Sequence, residues 1–144
     1  MAARGCEVHS FDPTEETREA HESHNVPGVH FHYAGVRSTL KCDKSHTWTS
    51  GDGGGSSRRT VDSSVMAQLG KLRSDLGHGG RQIDVFKIDC EGCEWDVFYE
   101  LATTSPEALD GVRSIMIEIH VVKSLQMASA ADLVKFEVVM KYLF

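Results

Sequence analysis

Residues 83–98, IDVFKIDCEGCEWDVF, change their hydrophobic period within a few positions. Val85, Phe86 and Ile88 form an apolar run of strand-forming residues. From Cys93 onward the apolar positions Trp95, Phe98 and Leu101 recur three apart, as on one face of a helix. Asp89 and Glu91 fall at the switch, with Gly92 just behind them. In open α/β sheets, ligands bind in the crevice beyond the carboxyl ends of parallel strands. Two acids at such an end are therefore candidate site residues on position alone.

The remaining periodicity surrounds this unit with the same alternation. Residues 6–11 (CEVHSF) read as a short strand ended by Asp12-Pro13, with Thr14 able to cap a polar helix beginning at Glu15. Residues 29–33 (VHFHY) alternate as a second strand. Thr39 to Trp48 suits irregular strand or hairpin structure. The glycine-serine run 51–57 reads as a flexible loop, since it has neither the flanking elements nor the lysine of a phosphate loop. Val65, Leu69, Leu72 and Leu76 make one apolar stripe, which predicts a helix over 62–76 ended by Gly77. Pro106 opens a short turn of helix. Residues 112–121 (VRSIMIEIHV) form another strand, with Glu118 and His120 near its end, where both could face the same crevice as Asp89 and Glu91. A last helix is expected over 130–143, with Leu133, Phe136, Met140 and Leu143 on one side. Alternating strands and helices predict an α/β domain with a mostly parallel sheet and flanking helices. No internal boundary interrupts it, so residues 1–144 read as one domain.

Charge and cysteine content narrow the function classes. Fifteen basic residues against 21 acidic ones give a formal charge of −6, which disfavours nonspecific nucleic-acid binding. No apolar run is long enough for a membrane span, and the first ten residues lack the apolar stretch of a secretory leader, so a cytoplasmic location is the default expectation. Cys90 and Cys93 form a CxxC without a second pair to complete a zinc set. They read as one strand cysteine and one at a helix start, with a redox or zinc pair as the lesser alternative.

KIDCEGCEWDVF resembles the Lys-x-Asp-x-Glu-Gly-x-Glu signature of FkbM-type methyltransferases and their methyltransferase-like relatives. CEVHSFDPT resembles the second strand of that family, HFHYAGV its third, RTVDSSVMAQL the helix ahead of the signature and IMIEIH the fifth strand. The resemblance implies a class I, Rossmann-like fold that uses S-adenosylmethionine, with strands in the spatial order three, two, one, four, five, seven, six. It also implies a partial domain. Only Met1 to Arg4 precede the match to the second strand, so the glycine-rich first strand and loop have no counterpart, nor do the last two strands.

The resemblance implies that Asp12 accepts hydrogen bonds from the ribose hydroxyls of the cofactor; a turn-forming acid ahead of Pro13 is the alternative. Asp89 and Glu91 are the leading catalytic candidates, because a hydroxyl acceptor needs a base and two nearby acids can raise one pKa toward a useful value. His120 could face the same crevice as a second base. Lys87 has a supporting role at most, and Trp95 and Phe98 dock the helix on the sheet. The function expected is methyl transfer to a hydroxyl group of a small-molecule or glycan-like acceptor, with no nucleic-acid partner and no metal ligands. One alternative is a non-catalytic, degenerate methyltransferase-like domain. A weaker one is a divalent-metal-binding α/β domain that uses Asp89, Glu91 and His120.

Overall fold

The computed structural model describes residues 4–23, 26–39, 47–50, 57–61, 63–90, 92–120 and 129–144. Two compact units are present, Met1–Gly35 with Asp43–Ala67 and Val36–Cys42 with Gln68–Phe144.

In the first unit, β1 (Val8–Phe11) and β2 (Val29–His32) pair in parallel, with Val8 opposite Val29 and Phe11 opposite His32. A parallel pair needs a crossover connection, supplied by a 3₁₀ turn at Glu15–Thr17 and α1 (Arg18–Ser23). The expected cap is displaced by two residues. Thr14 makes no side-chain capping bond. Instead Asp12 Oδ1 accepts the Thr14 N–H at 2.8 Å and Oδ2 accepts the Thr17 hydroxyl at 3.0 Å. A carboxylate offers two separate oxygens, so each donor has its own acceptor.

Two further strands of this unit, β4 (Thr47–Ser50) and β5 (Ser57–Thr60), pair antiparallel. The irregular strand or hairpin structure expected over 39–48 reaches the start of β4 at Thr47, and the last residue of the glycine-serine run belongs to β5; residues 40–46 and 51–56 lie outside the described residues. Gly35 opens the two-residue strand β3 (Gly35–Val36). A side chain there would place its Cβ 2.5 Å from Met66 Sδ and 2.7 Å from Pro13 Cγ, so close packing requires glycine.

The second unit contains a strand–helix–strand crossover. β7 (Phe86–Ile88) and β8 (Ile115–Ile117) pair in parallel, with Phe86 opposite Ile115 and Ile88 opposite Ile117, and a bridge between Ile83 and Val112 extends the pair. α3 (Glu94–Thr103) and a 3₁₀ turn at Pro106–Leu109 connect them, the turn carrying proline at its start as expected. Phe98 is fully buried and Val97 and Leu101 nearly so, in a cluster with Leu69, Ile88, Ala108 and Val139. Full burial of an aromatic side chain such as Phe98 contributes about 2 kcal/mol.

Two helices refine the sequence reading. α2 spans Leu69–Asp75, not 62–76. Residues 63–65 form a 3₁₀ turn, Met66–Ala67 form the short strand β6, and Gln68 is extended at φ −65°, ψ 150°. Apolar spacing placed Val65 on the helix stripe, but it closes the 3₁₀ turn, and the next two residues are taken as strand. Gly77 closes α2 in the left-handed region at φ +69°, as expected. Arg73 is buried in this helix. Its guanidinium donates to the carbonyls of Ala108 (2.6 Å), Arg81 (3.1 Å) and His78 (3.4 Å). α4 (Ala130–Leu143) starts at a reciprocal capping box between Ser129 and Asp132. Val139 is the buried residue of α4, whereas Leu133 and Phe136 remain 47% and 42% exposed. Phe136 still meets Trp95, ring centroids 5.4 Å apart, and Lys135 pairs with Asp96 of α3.

The described chain is therefore mixed α/β. Its parallel component is small, two pairs of three or four residues each.

Candidate active site

Asp89 follows β7 directly, and Glu118 and His120 follow β8. Because Ile88 lies opposite Ile117 and the Glu118 N–H donates to the Ile88 carbonyl at 3.1 Å, the two strands deliver these side chains to one end of the pair. His120 Nε2 lies 3.6 Å from Glu118 Oε1 and 4.0 Å from Asp89 Oδ1. Lys87 Nζ approaches Asp89 Oδ2 at 3.4 Å, the ion pair expected of a charge inside an apolar strand. Asp89 and His120 thus come together, as their strand-end positions imply. Glu91 lies outside the described residues.

The organising residue of this end is Glu94, which sequence reasoning passed over. Its side chain is 1% exposed. Oε1 accepts the Cys90 N–H at 2.9 Å and the His120 Nδ1–H at 2.9 Å, and Oε2 accepts the Gly92 N–H at 2.8 Å. A carboxylate can only accept, so His120 carries a proton on Nδ1, and its Nε2 faces Asp89 and Glu118. Trp95 holds the same histidine from the other side, its indole N–H donating to the His120 carbonyl at 2.7 Å. Adjacent helix residues thus fix both the ring and the backbone of His120. Glu94 is the last position of the Lys-x-Asp-x-Glu-Gly-x-Glu pattern, the one signal that could have singled it out.

The turn between Asp89 and α3 corrects the reading of the two cysteines as separate thiols. Cys90 and Cys93 are disulfide-bonded. Gly92, at φ +107°, folds the chain back so that the Cys93 N–H reaches the Cys90 carbonyl at 3.3 Å. The Cα atoms then stand 5.4 Å apart, within bonding range.

Further along α3, the buried Glu100 ties the segment at Thr39 to this helix within the second unit. Its carboxylate accepts the Thr39 N–H at 2.6 Å, the Thr39 hydroxyl at 2.8 Å and the Gln68 amide. Burial pushes this carboxyl up, but hydrogen bonds from Ser38, Thr39 and Gln68 outweigh that effect and hold it below its ordinary value.

In the first unit, Asp12 does follow a parallel strand, with its side chain 27% exposed. Burial raises its carboxyl pKa, while the bonds from Thr14 and Thr17 and the nearby His21 lower it by more. Its two oxygens already organise the start of α1, the work of the turn-forming alternative. His30 stacks on His9 with ring centroids 4.9 Å apart, and His9 stacks on His32 at 5.1 Å.

No helix among the described residues is long and apolar enough to cross a membrane. No solved structure matches the chain. The human protein "Probable methyltransferase-like protein 24" is 30% identical over 122 residues, which cover 83% of this chain and 28% of that protein. Its rat counterpart is 28% identical over 120 residues, with the same coverage. The chain spans little more than a quarter of the length of these curated relatives. A family model described as "Methyltransferase domain" matches residues 1–143, nearly the whole chain, and the protein belongs to that methyltransferase family.

Proposed function

We propose that the chain contributes the acceptor end of an S-adenosylmethionine-dependent methyltransferase of FkbM type, which methylates a hydroxyl group. The observation that carries this reading is the Glu94–His120 pair. A buried carboxylate that fixes an imidazole at Nδ1 leaves Nε2 able to take a proton, the arrangement general-base catalysis requires. An acceptor hydroxyl bound at the ends of β7 and β8 would donate toward Nε2, and Asp89, one-third exposed beside it, would orient the alcohol. Methyl transfer is an in-line displacement, so the protein's remaining work is alignment and exclusion of water.

Asp12 fits a cofactor role in two respects: it lies past the carboxyl end of a strand in a parallel pair, and its carboxylate is solvent-accessible. Its oxygens already accept from Thr14 and Thr17, with His21 Nε2 3.2 Å from Oδ2, so the hydroxyls of a ribose would share the carboxylate with these donors or displace them. S-adenosylmethionine, when bound, supplies the electrophilic methyl group. FkbM-type membership rests on the signature at Lys87–Glu94, and the glycan-like class of acceptor on the resemblance alone.

Calorimetric titration of the folded chain with S-adenosylhomocysteine tests the reading. Saturable heat that is lost in Asp12→Ala supports it. A folded chain that gives no heat rejects cofactor binding and favours the non-catalytic alternative, which the local engagement of Asp12 would explain.

A further inference from the structure

Among the described residues, the end of the β7–β8 pair gathers acidic and imidazole side chains at one place. Asp89, Glu118 and the buried Glu94 surround one imidazole, and Lys87 is the cation placed against Asp89. Nε2 of His120, on a ring held at Nδ1 by Glu94, faces two carboxylate oxygens at 3.6 and 4.0 Å. Two acids directed at one ring nitrogen favour a positive charge there, supplied by a proton on Nε2 or by a bound cation in its place.

We infer that Asp89, Glu118 and His120 form a binding site for a divalent first-row cation, with Glu94 as the group that orients the histidine. Three arguments converge. The ligand atoms all lie within 4.8 Å of one another, and separations of 3.6 and 4.0 Å fall between the adjacent and opposite positions around an ion with bonds of roughly 2.0–2.2 Å. The set mixes one imidazole nitrogen with two carboxylates, a donor class that suits manganese or zinc better than calcium. Ligating histidines almost always donate their second N–H to a carboxylate, and the 2.9 Å bond from Nδ1 to Glu94 is that interaction. Sequence alone suggested Asp89, Glu91 and His120 as a weaker metal set; the described geometry supplies Glu118 as the third ligand and Glu94 as the support.

Binding of the ion stands independently of methyl transfer, but its use rests on that reading. A cation here would draw the acceptor oxygen to itself and favour loss of its proton, the task otherwise given to His120.

Titration of the complete chain with Mn²⁺, followed by calorimetry and by the electron paramagnetic resonance of free Mn²⁺, tests the site without any assay of activity. One Mn²⁺ per chain is expected. Asp89→Asn and His120→Ala, both at solvent-accessible side chains, should each weaken it at least tenfold, and Glu94→Gln, which keeps all three ligands, by about tenfold or more. Circular dichroism confirms that each variant is folded; if Glu94→Gln is not, the other two carry the test. Wild-type binding no tighter than that of a folded Asp89→Asn/His120→Ala double variant would overturn the inference. Loss of Mn²⁺ binding while S-adenosylhomocysteine still binds removes the ion alone. Mn²⁺ binding without S-adenosylhomocysteine binding removes the methyl-transfer reading alone.

Discussion

Glu94 should be the most costly polar residue to alter in the second unit, and the cost can be worked from its partners. Its carboxylate is 1% exposed and accepts three hydrogen bonds, two from backbone N–H groups and one from His120. Glu94→Gln keeps the shape but replaces one oxygen with an NH₂ group. Whichever way the amide is turned, at least one buried donor then meets another donor, at a cost of about 1–3 kcal/mol. Glu94→Ala strands all three donors, for which about 4 kcal/mol is expected after allowing for incomplete additivity. With a urea slope of roughly 2 kcal/mol/M, the unfolding midpoint should fall by about 1 M for Gln and about 2 M for Ala. The assay is urea denaturation followed by Trp95 fluorescence in a Trp48→Phe background, so that the signal comes from the second unit. A midpoint change below about 0.25 M for Glu94→Ala would refute the accounting. Equal costs for Gln and Ala would show that the charge, not the count of accepted bonds, carries the stability.

Three other perturbations have defined outcomes. The folded Glu100 carboxyl lies below its ordinary value, so its contribution is complete above the unfolded-state pKa and is lost as pH falls through the folded one; Glu100→Gln should therefore flatten the acid limb of a stability–pH curve and lower stability at pH 7, and an unchanged acid limb would contradict the assignment. Arg73→Met should destabilise by about 3 kcal/mol, because the carbonyls of Ala108, Arg81 and His78 lose a buried charged donor; thermal unfolding measures it, and a change under about 0.5 kcal/mol would refute it. Reduction of the Cys90–Cys93 bond closes no long loop, so the loss should be no more than about 2 kcal/mol on loop entropy; thiol counting with and without reductant checks first that the bond is present, since two thiols in the untreated chain would exclude it.

The chain's linear pattern identified much of the second unit correctly. β7 falls on the apolar run at 85–88, and α3 and α4 fall where apolar residues recur at helical spacing, because each pattern is readable from neighbours a few positions away. The strand ends, and with them Asp89 and His120, followed from the same reasoning. Where tertiary contact overrides local spacing, that reading failed. The helix expected from 62 begins only at Leu69, since the residues before it turn and extend. Val139, not the more exposed Leu133 and Phe136, is the buried residue of α4.

By itself, then, the sequence determined the alternation of strands and helices, the family signature and the acids at a strand's end, all properties of residues close together in the chain. Only the tertiary structure decided that Glu94 is buried and grips a histidine 26 positions away, and that the chain bends at Gly92 far enough to join Cys90 to Cys93. Those facts depend on distances across two paired strands and a helix. A hydrogen bond between residues far apart in sequence leaves no periodic trace, because its geometry exists only after the apolar stripes have packed.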